Sequence, residues 1–371
     1  MTAFSFVLAG SLGAYLLFAL FLLTGLYRLR RVGKRTAQAP ADQPTVTVVV
    51  AARNEERHLP GLLEDLLRQD YPADKLELVI ADDRSSDGTS VILAEFARRD
   101  HRIRIVHIPE RSPTMAPKKF ALTQAIAAST GAIIIATDAD CRVPATWVSA
   151  TVRCFDDATG IVVGFSSVNI EPENFSTRYQ QLDFLALMAA NAGSLGWGKA
   201  WSGSGQNIAY RRSCFEAIDG FRPVAHLLSG DDMYLVQTIA GVTGIRFNAD
   251  PRGAVTTQPV VSLPKFFRQR IRWASNSRRS ARTDRWFFLF LLSAFLVNTV
   301  ILVGLFTQSL LPVLAALLTK GSFDYLVIIS GARPFAVQFR FGLFLIWLFL
   351  QPVYIPTVGL LGLAGKFRWK Q

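Results

Sequence analysis

Three long apolar runs stand at the ends of the chain: residues 3–27, 286–318 and 341–364 are nearly unbroken hydrocarbon. A helix crosses a bilayer core with about 20 apolar residues, so each run is long enough to span. Between them, residues 44–264 read as a soluble domain built from short elements. The β-branched run 45–51 suits a strand buried on both faces of a parallel sheet. In 55–69, Leu59, Leu62, Leu63, Leu66 and Leu67 repeat with helical spacing. A strand follows at 76–81. Ser86 or Asp87 is placed to cap a helix reaching about residue 99. Then come a strand at 103–108, a helix at 117–129 and a strand at 132–137. This β-α-β-α-β-α-β order predicts an α/β fold with a mostly parallel, doubly wound, Rossmann-like sheet.

The second half of the domain is less regular. Residues 161–170 read as one strand and 176–192 as an amphipathic helix. A Gly/Ser-rich loop at 200–206 leads into 207–212. Residues 262–280 read as a basic amphipathic helix able to lie at a membrane surface. In the C-terminal third, 286–306 spans comfortably. Residues 308–330 are interrupted by Lys320 and Asp324, whose i, i+4 spacing lets them pair. Residues 341–364 contain Pro352 and Pro356. Two or three spans fit this region. Three would put the basic tail outside, and two would keep it inside. The expected organisation is an N-terminal span (1–27), a basic linker (28–44), the α/β domain (45–264), an interface helix (265–285), a C-terminal membrane region (286–364) and a basic tail (365–371).

Charge sharpens this arrangement. The net charge is +12, and much of the excess hugs the apolar runs. Arg28, Arg30, Arg31, Lys34 and Arg35 follow the first; Arg278, Arg279, Arg282 and Arg285 precede the second. The positive-inside rule then puts the α/β domain in the cytoplasm of a multi-pass membrane protein, with a bacterial inner membrane as the expected location. Anionic membrane lipids are the expected partners of these clusters. No nucleic-acid-binding motif accompanies them, so nucleic acid is not an expected partner. The first run has its basic cluster after it, the reverse of a secretory signal, and reads as a retained anchor. Cys141, Cys154 and Cys214 are widely spaced and read as reduced thiols. The Asn174-Phe175-Ser176 sequon would be hidden from glycosylation in the cytoplasm.

The candidate chemistry lies just after predicted strands. Ligands of doubly wound sheets bind at the carboxyl ends of strands. Asn54-Glu55, Asp82-Asp83 and Asp138-Ala139-Asp140 all fall there. In extended backbone, residues i and i+2 face one way, so Asp138 and Asp140 could share Mg²⁺ or Mn²⁺, completed by diphosphate oxygens. Asp82-Asp83 begins a turn and helix start, and one of its carboxylates could also bind ribose or a base. Asp231-Asp232 is either a helix start or a general base for an attacking hydroxyl. Gln269, Arg272 and Trp273 share one helix face. Arg could grip a diphosphate and Trp could stack on a sugar or sit at a membrane interface.

Taken in order, these segments resemble glycosyltransferase family 2, the inverting enzymes of GT-A fold. The resemblance covers about residues 44–280. It rests on Val50-Ala51-Ala52-Arg53-Asn54-Glu55-Glu56, the stretch 82–89, Lys118-Lys119-Phe120-Ala121-Leu122, Thr137-Asp138-Ala139-Asp140, Asn207-Ile208-Ala209-Tyr210-Arg211-Arg212, Asp231-Asp232 and Gln269-x-x-Arg272-Trp273. The flanking apolar runs are similar to those of ceramide-glucosyltransferase-like and cellulose- or hyaluronan-synthase-like members. The resemblance implies that Ala52, Asn54, Glu55 and Asp83 hold the nucleotide, and that Lys118 or Lys119 sits near the diphosphate. Asp138 and Asp140 would hold metal and donor. Asp232 would be the base, although Asp231 stands where the family more often has Glu. Gln269, Arg272 and Trp273 would complete the donor side.

The implied reaction is a single displacement. It moves a sugar from a nucleotide-sugar, expected to be a UDP-hexose, to a hydroxyl of a lipid or lipid-linked acceptor at the cytosolic leaflet. A processive β-glycan synthase needs a polymer channel of several helices, and only four apolar candidates are present. A polyprenyl-phosphate sugar synthase typically lacks the Gln-x-x-Arg-Trp motif. A membrane scaffold with an inactive domain is a non-enzymatic alternative, opposed by the presence of every expected carboxylate.

Overall fold

The computed structural model describes residues 3–33, 43–307 and 310–364. The chain divides into two compact units. An α/β unit comprises Leu29–Asn169 and Gly198–Gln258; a helical unit comprises Met1–Arg28, Ile170–Trp197 and Pro259–Gln371.

The α/β unit is built on a seven-stranded mixed sheet, most of whose pairings are parallel. In spatial order its strands are β3 (Ile103–Ile108), β2 (Leu76–Asp83), β1 (Val46–Ala52), β4 (Ile133–Asp138), β8 (Ile208–Arg211), β6 (Thr159–Gly164) and β9 (Gly244–Asn248). The first four run parallel. Strand β8 is antiparallel to both neighbours, and β9 is parallel to β6. Its helices are α2 (Leu59–Leu67), α3 (Thr89–Arg99), α4 (Pro117–Ala127), α5 (Trp147–Val152), α7 (Arg212–Ala217) and α8 (Asp231–Ala240). Val46, Val48 and Val50 alternate toward the four buried leucines of α2, Leu59, Leu62, Leu63 and Leu66, and form one core with Ile80 and Trp147. Apolar burial on both faces explains why these strands read as continuous runs.

Residues 161–170 do not form one strand. They split between β6 and β7 (Ser166–Val168), and β7 belongs to a second, three-stranded sheet with β5 (Cys141–Arg142) and β10 (Val255–Thr257). The switch is held by buried Asn207. Its Nδ2 donates to the carbonyls of Phe165 and Gly253 at 2.8 Å each, and its Oδ1 accepts from Trp147 Nε1 at 3.0 Å. The helix expected from Ser86 or Asp87 begins at Thr89, whose N–H donates to Asp87 Oδ1 at 3.0 Å.

The helical unit contains α1 (Ala3–Gly33), α6 (Phe175–Leu195), α9 (Leu263–Ala274), α10 (Ser277–Thr283), α11 (Arg285–Thr307), α12 (Leu310–Ala332) and α13 (Phe341–Ala364). The expected continuous 45–264 segment is therefore interrupted, because α6 packs with these helices. The expected 262–280 helix breaks into α9 and α10 at Ser275–Asn276, where Gly362 of α13 lies against Ala274 and Ser275. Among the described residues, four helices, α1, α11, α12 with its following turn, and α13, are long and apolar enough to cross a membrane, so the C-terminal region supplies three candidates rather than two. Lys320 and Asp324 pair at 2.6 Å, and Tyr15 of α1 donates to Asp324 at 2.7 Å. This satisfies charges that an apolar surrounding would otherwise penalise. The tail 365–371 and most of the basic linker lie outside the described residues.

A second polar junction ties α6 to α9 and α13. Asp183 accepts from Arg270 Nε at 2.8 Å and from Trp347 Nε1 at 3.2 Å. The Arg270 guanidinium lies 4.6 Å from the ring centroid of Phe266 and 4.2 Å from that of Trp273. Helices α1 and α6 approach backbone to backbone through glycines. A Cβ on Gly25 would come 1.8 Å from the carbonyl oxygen of Gly193, whereas one on Gly13 meets nothing within 4 Å. Small residues permit such close helix contact in membranes. Gly25→Leu is therefore expected to destabilise the protein by at least about 1–3 kcal/mol and Gly13→Leu to have little effect. Thermal unfolding in detergent micelles measures both.

Candidate active site

Parallel register brings the chemistry together. Ala51 stands opposite Asp138 of β4, and Ala52 opposite Asp82 of β2. Adjacent strands lie about 4.8 Å apart, so the ends of β1, β2 and β4 present their following loops along one edge.

The loops after β1 and β2 are bonded to each other. Asn54, in the left-handed region at φ 56°, accepts from the Ser86 N–H at 2.8 Å, and its own N–H donates to Ser85 Oγ at 3.1 Å. The Glu55 N–H donates to Thr89 Oγ1 at 2.9 Å, and Glu56 accepts from the Gly88 N–H at 2.8 Å. Asp82 is buried, accepting from the Ser85 N–H at 3.2 Å and from the Ser90 hydroxyl. Asp83 is buried against Arg84 at 2.6 Å, with Arg53 4.0 Å away. Of that pair, Asp82 holds the turn and Asp83 holds the arginines.

Asp138 and Asp140 are both partly exposed, and Ala139 between them is in the core; the strand ends at Asp138, and Ala139 and Asp140 lie in a turn rather than in the extended backbone expected. Burial, then Asp138, then Glu55 push the Asp140 carboxyl up to about 6. An oxygen-only pair of carboxylates suits a hard divalent cation. Among the described residues, no three His, Cys, Asp or Glu side chains gather closely enough to hold a metal. Two carboxylates leave the other coordination positions to ligands from outside the chain. The residues present fit such an ion in that sense.

Lys118 and Lys119 part company. Lys118 Nζ donates to Asp138 Oδ1 at 2.5 Å. Lys119 is buried and donates to the Leu227 carbonyl at 2.5 Å. Neighbours on a helix point about 100° apart, and here one serves the site and the other the fold. The expectation for Lys119 is corrected accordingly.

Asp231 and Asp232 open α8, after Gly230 at φ 81°. Asp232 Oδ2 accepts from the Gly205 N–H at 3.3 Å, and its Oδ1 accepts from the Met233 N–H at 2.8 Å. Burial and Asp231 raise the Asp232 carboxyl to about 6 against these bonds and the Lys118 charge. Both aspartates line a small cavity with Lys118, Thr137, Gly205 and Tyr210. The Tyr210 hydroxyl is buried without a hydrogen-bond partner. Sequence reading missed Thr137, Gly205, Tyr210 and the Asn207 junction. The only signal for them was their position in segments already singled out.

Gln269, Arg272 and Trp273 belong to the helical unit. Gln269 Oε1 accepts from Arg270 at 2.8 Å, and the Trp273 ring packs on Arg270 and on Phe184, 5.9 Å away. Asp183 and Arg270 were not anticipated.

Residues 47–219 match the model of the family described as Glycosyl transferase family 2. The probable glycosyltransferase YdaM of Bacillus subtilis is 28% identical over 271 residues, 71% of this chain and 63% of that protein. A beta-monoglucosyldiacylglycerol synthase of Trichormus variabilis is 32% identical over 141 residues, 38% of this chain and 30% of that protein. The chain thus spans less than two thirds of the length of these curated relatives. Among solved structures, the mannosyltransferase PcManGT from Pyrobaculum calidifontis, in complex with GDP-Man and Mn2+, is similar at a TM-score of 0.65 and 23% identity. That match covers 98% of this chain and 99% of the other. The likeness is one of fold.

Asp232 carries a stability prediction. Its pKa of about 6 in the folded chain exceeds the roughly 3.9 of an unfolded Asp, so the folded state binds the proton more tightly. Its ionisation lowers stability as pH rises from about 4 to about 6, and the loss persists above. Asp232→Asn is expected to melt at a higher temperature than the parent at pH 8, with the difference shrinking below pH 4. Calorimetry at the two pH values checks it.

Proposed function

We propose that the chain, which carries a segment matching Glycosyl transferase family 2 in a GT-A-like fold and, among its described residues, four helices able to cross a membrane, is a glycosyltransferase that moves a sugar from a nucleoside-diphosphate sugar to a lipid hydroxyl. The anomeric centre inverts, and the acceptor is drawn from the cytosolic leaflet. The observation that carries this reading is the pairing of two acid clusters around Lys118. Asp138 and Asp140 stand at the end of β4, and Asp231 and Asp232 at the start of α8. Ala52, Asn54, Glu55 and Asp83 serve the nucleotide, with uridine as the expected base. Asp138 and Asp140 hold Mg²⁺ or Mn²⁺, which when bound neutralises charge growing on the leaving diphosphate.

Asp232 takes the proton of the attacking hydroxyl. Its raised pKa makes it a stronger base than an ordinary carboxylate while leaving it ionised at neutral pH. An α-linked donor then gives a β-linked product. The basic clusters beside the apolar helices favour a cytoplasmic catalytic unit in a multi-pass protein of a bacterial inner membrane. The lipid acceptor is supported by the apolar helices beside the α/β unit in sequence and by the diacylglycerol-acting name of one relative.

Purified protein given labelled UDP- and GDP-sugars with a lipid extract is expected to yield a single glycolipid on mass spectrometry. A ladder of long glycans would point instead to a processive synthase. Turnover requires ionised Asp232, so kcat/KM should rise about tenfold per pH unit below about 6 and level off above it. Asp232→Asn should lower turnover by about 10²–10⁴-fold with donor affinity little changed. Full activity in that variant would refute the assignment.

A further inference from the structure

Lys118 stands between the two acid clusters, and its surroundings give it two seats. In the first, Nζ donates to Asp138 Oδ1 at 2.5 Å. The second is beside Asp232. A Cβ placed on Gly205 would lie 3.6 Å from Lys118 Nζ and 4.0 Å from Asp232 Oδ2, so one glycine touches both groups and its lack of a side chain keeps the passage between them open. A lysine ammonium is a cation at neutral pH, and it carries that charge in either seat. The helix beneath is anchored next door, where Lys119 is buried on the Leu227 carbonyl. Movement therefore falls to the flexible stem of Lys118, a compact point charge with three donors.

The first seat conflicts with a metal. A divalent cation on Asp138 and Asp140 would take the carboxylate that Lys118 now holds, and two cations at one oxygen repel. We propose that Lys118 is a resident cation of the donor site, which holds Asp138 until a divalent metal claims that carboxylate and then turns to Asp231 and Asp232. This rests on the reading of Asp138 and Asp140 as metal ligands. The same ammonium that keeps the empty acid pair from repelling itself becomes the counter-charge of the acceptor-side pair once the metal is in place. Loading of the donor side and preparation of the acceptor side are thereby linked through one side chain.

The test is metal affinity of the full chain in detergent, titrated with Mn²⁺ alone and followed by calorimetry. Removal of the competing cation in Lys118→Met should tighten Mn²⁺ binding roughly fivefold, and Lys118→Arg should stay within about twofold of the parent. Unchanged or weaker Mn²⁺ binding in folded Lys118→Met overturns the proposal, and is the outcome expected if the lysine serves only bound diphosphate. A second measurement needs no disruptive variant. With ¹⁵N-lysine label, the Nζ signal assigned to Lys118 should shift on saturation with Mg²⁺, and the bound-state position should change in Asp232→Asn. A signal indifferent to Mg²⁺ overturns the proposal. Asp140→Ala separates the two levels of the account. If it binds Mn²⁺ as the parent does, the metal assignment fails and this proposal with it. If it loses binding while Lys118→Met changes nothing, only the resident-cation role fails.

Discussion

Four carboxylates, Asp138, Asp140, Asp231 and Asp232, gather around one ammonium in partial burial. Like charges so placed oppose folding, and the rest of the α/β unit can be understood as the frame that forces them together. Strands β1, β2 and β4 are buried on both faces, so their apolar runs must lie in parallel register. That register ends them side by side, with Ala51 against Asp138 and Ala52 against Asp82. On the far side of Lys118, the left-handed Gly230 starts α8 with its first two residues toward the cavity. The raised carboxyls of Asp140 and Asp232 are the thermodynamic trace of this crowding, and a group of reactions that needs a cation on one side and a base on the other can use both.

The helical unit solves a different problem with similar means. Its apolar helices carry a few polar groups that hydrocarbon would punish, and two charged groups of them are matched inside the unit. Lys320 and Asp324 pair with each other and with Tyr15. Asp183 gathers Arg270 and Trp347, joining the basic amphipathic α9 to the apolar α13. Backbone-close glycine contacts between α1 and α6 complete the packing. Arg270, between Gln269 and Arg272, thus has an anchoring duty within the helical unit.

Local pattern carried far through the first half of the chain. The strands from 46 to 138 could be read because a strand buried on both faces is a continuous apolar run, and the aspartates stood out because they follow such runs. Legibility failed where a distant partner decides. The break between β6 and β7 is held by Asn207, more than forty residues away, through its bonds to Phe165 and Gly253. Helix α6, expected to be amphipathic, gathers little of its apolar surface on one face, so its pattern does not choose a unit; Gly193 and Asp183 select the helical one. Lys118 and Lys119 are indistinguishable in sequence, and only the Leu227 carbonyl separates the lysine of the site from the lysine of the core.

The central claim is that the acid pair after β4 holds the metal and, through it, the nucleoside diphosphate, opposite Asp232. The anomalous scattering of Mn²⁺ in crystals grown with UDP tests this most directly. A peak bridging the carboxylates of Asp138 and Asp140, with diphosphate oxygens on its open side, is the predicted result. A Mn²⁺ peak elsewhere, with UDP bound and both carboxylates free of metal, would contradict it.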